Sequence, residues 1–278
     1  MIRYAFARLW PPAVTHPVMF ACLLVAIIWT PATAHARCSI AIDSREAGAL
    51  ADKVWRNESG GNFDKILWWN RGEAFASVGI GHFIWYPTGV AGPFHESFPD
   101  LLDYLSSRSV PMPEWLADGT ARRCQWATRE EFFDRRNGPK ATQLRHLLID
   151  TTALQAAFML ARLESALDLI VAAVPAHQVS VIESRFCALL ATPAGRYAIV
   201  DYVNFKGEGI KPEERYDGQG WGLKQVLQGM DGELPANKDF AAAARRVLER
   251  RVQNAPRERR EERWLPGWLG RVDSYRRL

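Results

Sequence analysis

Apolar side chains recur every three to four residues in several stretches of this chain, the spacing of one face of an α-helix. Residues 44–57 show the pattern first, with Ala47, Leu50, Ala51, Val54 and Trp55 on one face, and Gly60-Gly61 ends it. Further helices are predicted over residues 99–106, from the capping box Thr128-x-x-Glu131 onward, and over residues 150–174, 176–191, 194–203 and 238–255.

Two β-prone runs interrupt this helical pattern. Residues 63–69 and 74–80 are joined by Asn70-Arg71-Gly72-Glu73, which is typical of a turn, so a β-hairpin is predicted. From residue 37 onward there is neither an internal repeat nor a Gly/Ser-rich linker. We therefore expect an α+β fold, mostly α, in which residues 37–278 form one domain with a small β-hairpin lobe and a helical lobe.

The first 36 residues have the pattern of a signal peptide. Arg3 and Arg8 precede an apolar run from Met19 to Trp29, and Ala34-His35-Ala36 is a small-x-small cleavage site. The run is short for a membrane span, and an uncleaved N-terminal anchor is the alternative. We expect a periplasmic or secreted protein with no stable membrane insertion after cleavage.

The charge balance argues against a nucleic-acid partner. Without Arg3 and Arg8, the 35 basic residues become 33, which against 31 acidic residues leaves a net charge of +2. The basic run 257–263 alternates with glutamates and is expected to be a solvated helix or turn. A monomer is expected.

Three cysteines remain after the predicted cleavage site, which permits one disulfide. Cys187 lies in an apolar helical context and is expected to be a buried thiol, so Cys38 and Cys124 are the predicted pair. The spacing of cysteine and histidine does not match a zinc site, and neither a metal nor an organic cofactor is expected.

Glu58 is the first candidate for chemistry. It follows the helix 44–57, where the negative helix pole disfavours a carboxylate, and the aromatic neighbours Trp55, Trp68 and Trp69 would exclude water from it. Both effects favour a protonated carboxyl, as a general acid for glycosidic cleavage requires. Trp69 is expected to contact sugar. The alternative is an ordinary surface glutamate at a helix end.

The segment Ser77-Val78-Gly79-Ile80-Gly81-His82 resembles phage-type lysozymes, in which a glutamate closing the first long helix is followed by a hairpin ending in G-I-G-H. The resemblance implies a lysozyme-like fold with Glu58 as the catalytic acid. It places Ser77 where that family has a threonine facing the substrate. It also implies structural roles for Gly79, Gly81 and His82, and glycines suit a sharp turn close to a ligand.

The second acid of that family has no counterpart at the same offset, which falls at Asn70-Arg71. Glu73, two residues on, is the predicted second carboxylate, and with Ser77 it would orient water or stabilise charge. If Glu73 does not reach the cleft, a one-acid mechanism like that of lytic transglycosylases remains, and the two-carboxylate mechanism loses support.

A second polar block lies downstream, between Asp201 and Gln225. Its first half is similar to a phage-lysozyme helix end, Q-M-G-E-T-G, with Asn204 and Glu208 in the places of the glutamine and glutamate. Gln219 and Trp221 lie in its second half, which is similar to the G-L-x-Q segment of transglycosylases. Asn204, Glu208, Gln219 and Trp221 are the predicted sugar-binding residues. A loop of turn-forming glycines is the alternative.

Across its full length the chain resembles a group of exported bacterial proteins of unassigned function, which share W-x-N-E, W-N-x-G-E, G-I-G-H-F-I-W-Y-P and G-Q-G-W-G-L. The predicted function is an exported glycosidase that cleaves the glycan strands of peptidoglycan. The alternatives are a non-catalytic glycan-binding envelope protein, a lytic transglycosylase, or a hydrolase of chitin or chitosan.

Overall fold

The computed structural model describes residues 38, 42–60, 62–92, 94–117 and 123–277, without the side chains of Glu58 and Ser59. Helix accounts for 65% of it, and the remainder includes a small antiparallel sheet, so the expected α+β class with helix dominant is confirmed. The described residues belong to a unit that runs from Arg37 to Leu278. The predicted signal peptide, residues 1–36, lies outside them.

The first helix, α1 (Ser44–Ser59), follows the predicted amphipathic pattern. Asp43 caps it by accepting a hydrogen bond from the Glu46 backbone N–H (2.8 Å). Leu50 and Val54 are buried on its inner face. Gly60 ends it in the left-handed conformation, with φ of 66°.

The β-lobe is a three-stranded antiparallel sheet of β1 (Leu67–Trp68), β2 (Ala76–Val78) and β3 (Phe83–Trp85), in that order. The predicted strand 63–69 is mostly wrong, because Phe63–Ile66 is a 3-10 turn that the Asn62 side chain caps. The third strand was not predicted, although its outer residues are buried and its middle one is not, the alternation of a half-buried strand.

The helices that follow the sheet are α2 (Phe98–Ser107), α3 (Glu114–Ala117), α4 (Arg129–Arg135), α5 (Pro139–Asp150), α6 (Thr152–Ala172), α7 (Ala176–Leu190) and α8 (Pro193–Lys206), and the downstream polar block begins within α8. Thr128 caps α4 as predicted, accepting from the Glu131 N–H (3.2 Å). The sequence pattern did not predict α5 as a separate helix, and α8 extends three residues beyond its predicted end.

The C-terminal part consists of the two-stranded ribbon β4 (Arg215–Tyr216) and β5 (Gln219–Gly220) and the helices α9 (Leu223–Gly229), α10 (Ala236–Asn254) and α11 (Leu265–Ser274). The helix α10 was predicted; α9 and α11 were not. In the core, α1 packs against α6 and α8, and α10 packs against α9 and α11. No helix in the described ranges is both long and apolar enough to cross a membrane.

The disulfide differs from the predicted one. Cys38 is bonded to Cys187 on α7, with their Cα atoms 5.4 Å apart, and Cys124 is a buried free thiol. The buried face of α7 is formed by Ile182, Phe186 and Leu189, so Cys187 lies beside that face and meets the N-terminal segment. Burial raises the pKa of Cys124 to about 12, which keeps this thiol protonated and unreactive.

Reduction of this disulfide is expected to destabilise the protein by about 2–4 kcal/mol, because the bond closes a long loop across a sequence separation of 149. Urea unfolding with and without reductant measures the loss. A Cys124→Ala variant should keep the sensitivity to reductant, whereas Cys38→Ala should lose it. Sensitivity retained in Cys38→Ala would contradict the observed pairing.

Candidate functional site

A cleft of about 640 Å³ lies between the β-lobe and the helical part of the chain. One side consists of the turn before β2, the turn before β3 and the segment preceding α2. The other side consists of the C-terminal end of α8, the loop after it, Trp221 and side chains from α10 and α11. A volume of this size is within the usual range for small-ligand pockets.

The cleft brings together two sets of residues that are far apart in sequence. From the β-lobe come Glu73, Ser77, Gly81 and His82; from the downstream polar block come Asn204, Glu208 and Trp221. The sequence predicted both sets separately as parts of a site but could not show that they meet. They line the same cleft.

Glu73 reaches the cleft, which was the condition for retaining a two-carboxylate mechanism. Its carboxylate Oε2 accepts a hydrogen bond from Asn70 Nδ2 (3.1 Å), and its backbone oxygen accepts one from Trp69 Nε1 (2.8 Å). These bonds hold the turn between β1 and β2 and orient Glu73. Ser77, in the middle of β2 opposite Trp68 and Ile84, is buried at the cleft wall.

Trp69 and Gln219 do not line the cleft, unlike the other predicted sugar-binding residues. The Trp69 side chain is only 3% exposed and packs against Phe132, with ring centroids 6.1 Å apart. Its indole N–H is used on the Glu73 backbone, so Trp69 supports the turn instead of contacting sugar. Gln219 is exposed on β5, outside the cleft.

The Gly79–His82 turn is held by a residue that the sequence analysis missed. Gln155, on α6, is fully buried, and its Oε1 accepts from the Ile80 N–H (2.9 Å) while its Nε2 donates to the Leu148 oxygen (2.6 Å). Gly79 has φ of +74° and donates its N–H to the Ile66 oxygen (2.7 Å). A buried polar residue within the apolar pattern of α6 is the signal that could have identified Gln155.

Gly79→Ala is expected to be about 1–3 kcal/mol more destabilising than Gly72→Ala. Both glycines have positive φ, so both variants strain the backbone, but only at Gly79 would a Cβ meet the Gln155 Oε1, at 2.5 Å. At Gly72 nothing lies within 4 Å of the added Cβ. Urea unfolding of the two variants measures the difference. Equal destabilisation of the two variants would show that the Gln155 side chain moves away from the added Cβ without a loss of stability.

The backbone of Glu58 lies in the last turn of α1, one residue before its end. Its predicted role as the catalytic acid concerns a side chain outside the described part of the structure. The preceding residue, Asn57, donates from Nδ2 to Asp201 Oδ1 (3.4 Å) on α8. The end of α1 is therefore joined to α8, whose C-terminal residues line the cleft.

Asp201, at the start of the downstream block, connects three helices. It is fully buried, and its carboxylate accepts two bonds from Arg271 of α11, from Nε to Oδ2 and from Nη2 to Oδ1, both 2.8 Å. Tyr275 also donates its hydroxyl to Asp201 Oδ2. Burial and the Asp201 charge raise the pKa of Tyr275 well above its ordinary value.

Backbone bonds join the two halves of the downstream block. The Leu223 N–H donates to the Gly207 oxygen (3.0 Å), and the Lys224 N–H donates to the Glu208 oxygen (2.9 Å). A Cβ on Gly222 would lie 2.0 Å from the Gly209 nitrogen, so only glycine allows this close approach. The loop that carries Glu208 is thereby held beside Trp221.

Several cationic residues at the cleft were missed by the sequence analysis, chief among them Lys206, Arg251 and Arg271. Burial, with the charges of Arg251 and Arg271, lowers the pKa of Lys206 to about 6 against the opposing effect of Glu261. Glu261, in the run expected to be solvated, is buried. Burial opposes its ionisation, but hydrogen bonds from Arg251 and Tyr216 outweigh this and lower its pKa.

Among the residues that the structure describes, no group of three His, Cys, Asp or Glu side chains is placed to hold a metal ion. Comparisons of the chain with family models, curated proteins and solved structures give no match. The resemblance to phage-type lysozymes therefore stays a prediction from the sequence, based on the position of Glu58, the segment Ser77–His82 and the positions of Asn204 and Glu208.

Proposed function

We propose that this protein is an exported, lysozyme-like glycosidase that cleaves the glycan strands of peptidoglycan, with Glu58 as the general acid. The observation that carries the proposal is the convergence of the β-lobe and the downstream block on one cleft. The sequence predicts each of these two segments, independently of the other, to be part of a glycan-binding or glycan-cleaving site. Glu58 comes from the end of α1, which Asn57 joins to the helix that borders this cleft.

The residues of the cleft fit this reaction. Glu73 is oriented by Asn70 and supplies a second carboxylate, as base or nucleophile, for a hydrolase. Asn204 and Glu208 offer polar groups to the amides and hydroxyls of an N-acetylated sugar, and Trp221 offers an aromatic face. The fold class, a small sheet beside a larger helical part, agrees with a lysozyme-like fold.

The disulfide supports an exported protein that acts in the periplasm or outside the cell. A bond between Cys38 and Cys187 persists in an oxidising compartment and is rare in the cytosol. It agrees with the signal-peptide pattern of residues 1–36, and peptidoglycan lies in the compartment that such a protein would reach.

The direct test is incubation of the purified protein with insoluble peptidoglycan, followed by measurement of soluble fragments and their reducing ends. Release of fragments with reducing ends supports the glycosidase. Products ending in anhydro-sugars would instead identify a lytic transglycosylase. Binding to peptidoglycan without release would identify a non-catalytic glycan-binding protein, and neither binding nor release would reject the proposal.

Glu73→Gln separates the two enzymatic mechanisms. For a two-carboxylate hydrolase we expect kcat to fall about 100-fold, the lower end of the range for a positioned acid or base. Glu130→Gln, which changes an exposed glutamate on α4, is the matched control and should keep wild-type kcat. An unchanged kcat in Glu73→Gln would show that Glu73 takes no part in the reaction, and a one-acid mechanism would remain.

A further inference from the structure

Three cations and three aromatic rings alternate at the α8 end of the cleft. We call Lys206, Arg251 and Arg271 the cationic cluster. Lys206 Nζ lies 3.4 Å from the ring centroid of Trp268 and 3.9 Å from that of Phe205. Arg251 Cζ lies 3.9 Å from the centroid of Trp221 and 4.9 Å from that of Trp268, and Arg271 Cζ lies 4.3 Å from that of Phe205. All three cations line the cleft.

Among the described side chains, the carboxylates of Glu261 and Asp201 pair with two of these cations. Glu261 accepts from Arg251 Nε (2.7 Å) and Nη2 (2.9 Å), and Asp201 accepts from Arg271 Nε and Nη2, both at 2.8 Å. No carboxylate oxygen of a described residue lies within 4.0 Å of Lys206 Nζ. When Lys206 is protonated, its charge is therefore not paired with a described carboxylate, in contrast to the charges of Arg251 and Arg271.

A partly buried ammonium group without a protein acceptor is unfavourable, because aromatic faces replace only part of its lost hydration. This cost accounts for the lowered pKa of Lys206, about 6, to which Arg251 and Arg271 also contribute. An anion bound beside Lys206 would supply the missing acceptor and would favour the protonated amine. The cationic cluster therefore combines positive charge with access to the cleft, as an anion subsite requires.

We propose that the cationic cluster binds a free carboxylate of the glycan, with Lys206 as the direct contact, so that the substrate is an acidic amino-polysaccharide. This inference rests on the proposed function and narrows its substrate. The carboxylate belongs either to a lactyl ether on the sugar or to a short peptide attached to it, since both present the same group. Chitosan, whose free amines are cationic, would be repelled by the same cluster.

The test compares three tetrasaccharides of alternating N-acetylglucosamine and N-acetylmuramic acid that differ only at the lactyl group. One has free lactyl carboxylates, one has them blocked as neutral amides, and one has them joined to the dipeptide alanyl-isoglutamine, which has its own carboxylate. Binding is measured by calorimetry at neutral pH with Glu58→Gln, so that the ligands are not cleaved during the titration.

We expect at least one carboxylated tetrasaccharide to bind about 10- to 100-fold more tightly than the neutral amide, the usual gain for a hydrogen bond between charged groups. Tighter binding of the free acid locates the carboxylate on the sugar. Tighter binding of the dipeptide form alone locates it on the peptide. Lys206→Met should abolish the difference, and Lys238→Met, an exposed lysine outside the cleft, should keep it.

The pKa of Lys206, followed by NMR of isotopically labelled lysine, gives a readout that is independent of catalysis. It should rise by one unit or more when a carboxylated tetrasaccharide binds and should stay unchanged with the neutral amide, because only a carboxylate stabilises the protonated amine. This measurement also distinguishes lost contact from altered folding in Lys206→Met.

Equal binding of all three tetrasaccharides, or a preference that persists in Lys206→Met, would overturn the carboxylate subsite. If wild-type protein then still releases fragments from peptidoglycan, the proposed function stands and only the subsite is wrong. If no tetrasaccharide binds and nothing is released, the proposed function fails, and the subsite fails with it.

Discussion

Glu58→Gln is expected to lower kcat for release of peptidoglycan fragments by about 10²- to 10⁴-fold, the contribution of a positioned general acid. Glutamine keeps the size of the side chain and its place at the end of α1 but has no proton to give to the leaving oxygen. Because the variant removes proton transfer and leaves Asn204, Glu208 and Trp221 in place, binding to peptidoglycan should be retained.

The measurement compares initial rates of fragment release and, separately, the bound fraction on insoluble peptidoglycan. Glu164→Gln, an exposed glutamate on α6, is the matched control and should leave both unchanged. Wild-type kcat in Glu58→Gln would exclude Glu58 as the acid. Loss of binding together with activity would instead indicate a structural role for Glu58.

Asp201→Asn is expected to lower the free energy of unfolding by about 3–5 kcal/mol, the typical cost of removing one partner of a buried ion pair. Asp201 is fully buried and accepts bonds from Arg271, Tyr275 and Asn57, so the substitution takes the negative charge away from Arg271. It also loosens the connection between α8, α11 and the end of α1. Urea unfolding at neutral pH measures the effect.

Asp273→Asn provides the control for Asp201→Asn. Asp273 pairs with Arg245 at 2.8 Å, but its side chain is 31% exposed, so the loss should be below about 1 kcal/mol. Similar losses in both variants would show that burial of Asp201 adds nothing to the strength of its ion pair. Because Asn57 precedes Glu58, we also expect Asp201→Asn to reduce activity under conditions where it remains folded.

The elements that local sequence could predict are those stabilised by near neighbours. The helix α1 has its cap at Asp43, its apolar face and its terminating Gly60 within one short segment. The start of α4 is local in the same way, because its cap, Thr128, lies directly before the helix. The segment 63–66 was predicted as strand from its β-prone residues, but Asn62 caps it as a 3-10 turn. In this segment a hydrogen bond to the Asn62 side chain stabilises a 3-10 turn in place of the strand that the β-propensity of the residues favours.

Residue type and motif identified many of the cleft residues, among them Glu73, Ser77, Asn204 and Glu208. Trp69 shows the limit of that reasoning. An aromatic residue beside a predicted site can contact a sugar or fill the core, and its burial against Phe132 depends on where α4 packs. The cysteines show the same limit, since Cys187 meets Cys38 only because α7 packs near the N-terminal segment.

The periodicity and the caps are local properties of the chain, because each depends on contacts within a few residues. The G-I-G-H motif is likewise visible in the sequence, although Gln155 of α6 holds the turn that it forms. These features sufficed for the fold class and for the candidates Glu58 and Glu73. The Asp201 junction and the cationic cluster require contacts between α8 and the distant helices α1 or α11, and the shared cleft requires the β-lobe to lie beside the end of α8. Such contacts, and the burial that lowers the pKa of Lys206, arise only when helices pack together and exclude water.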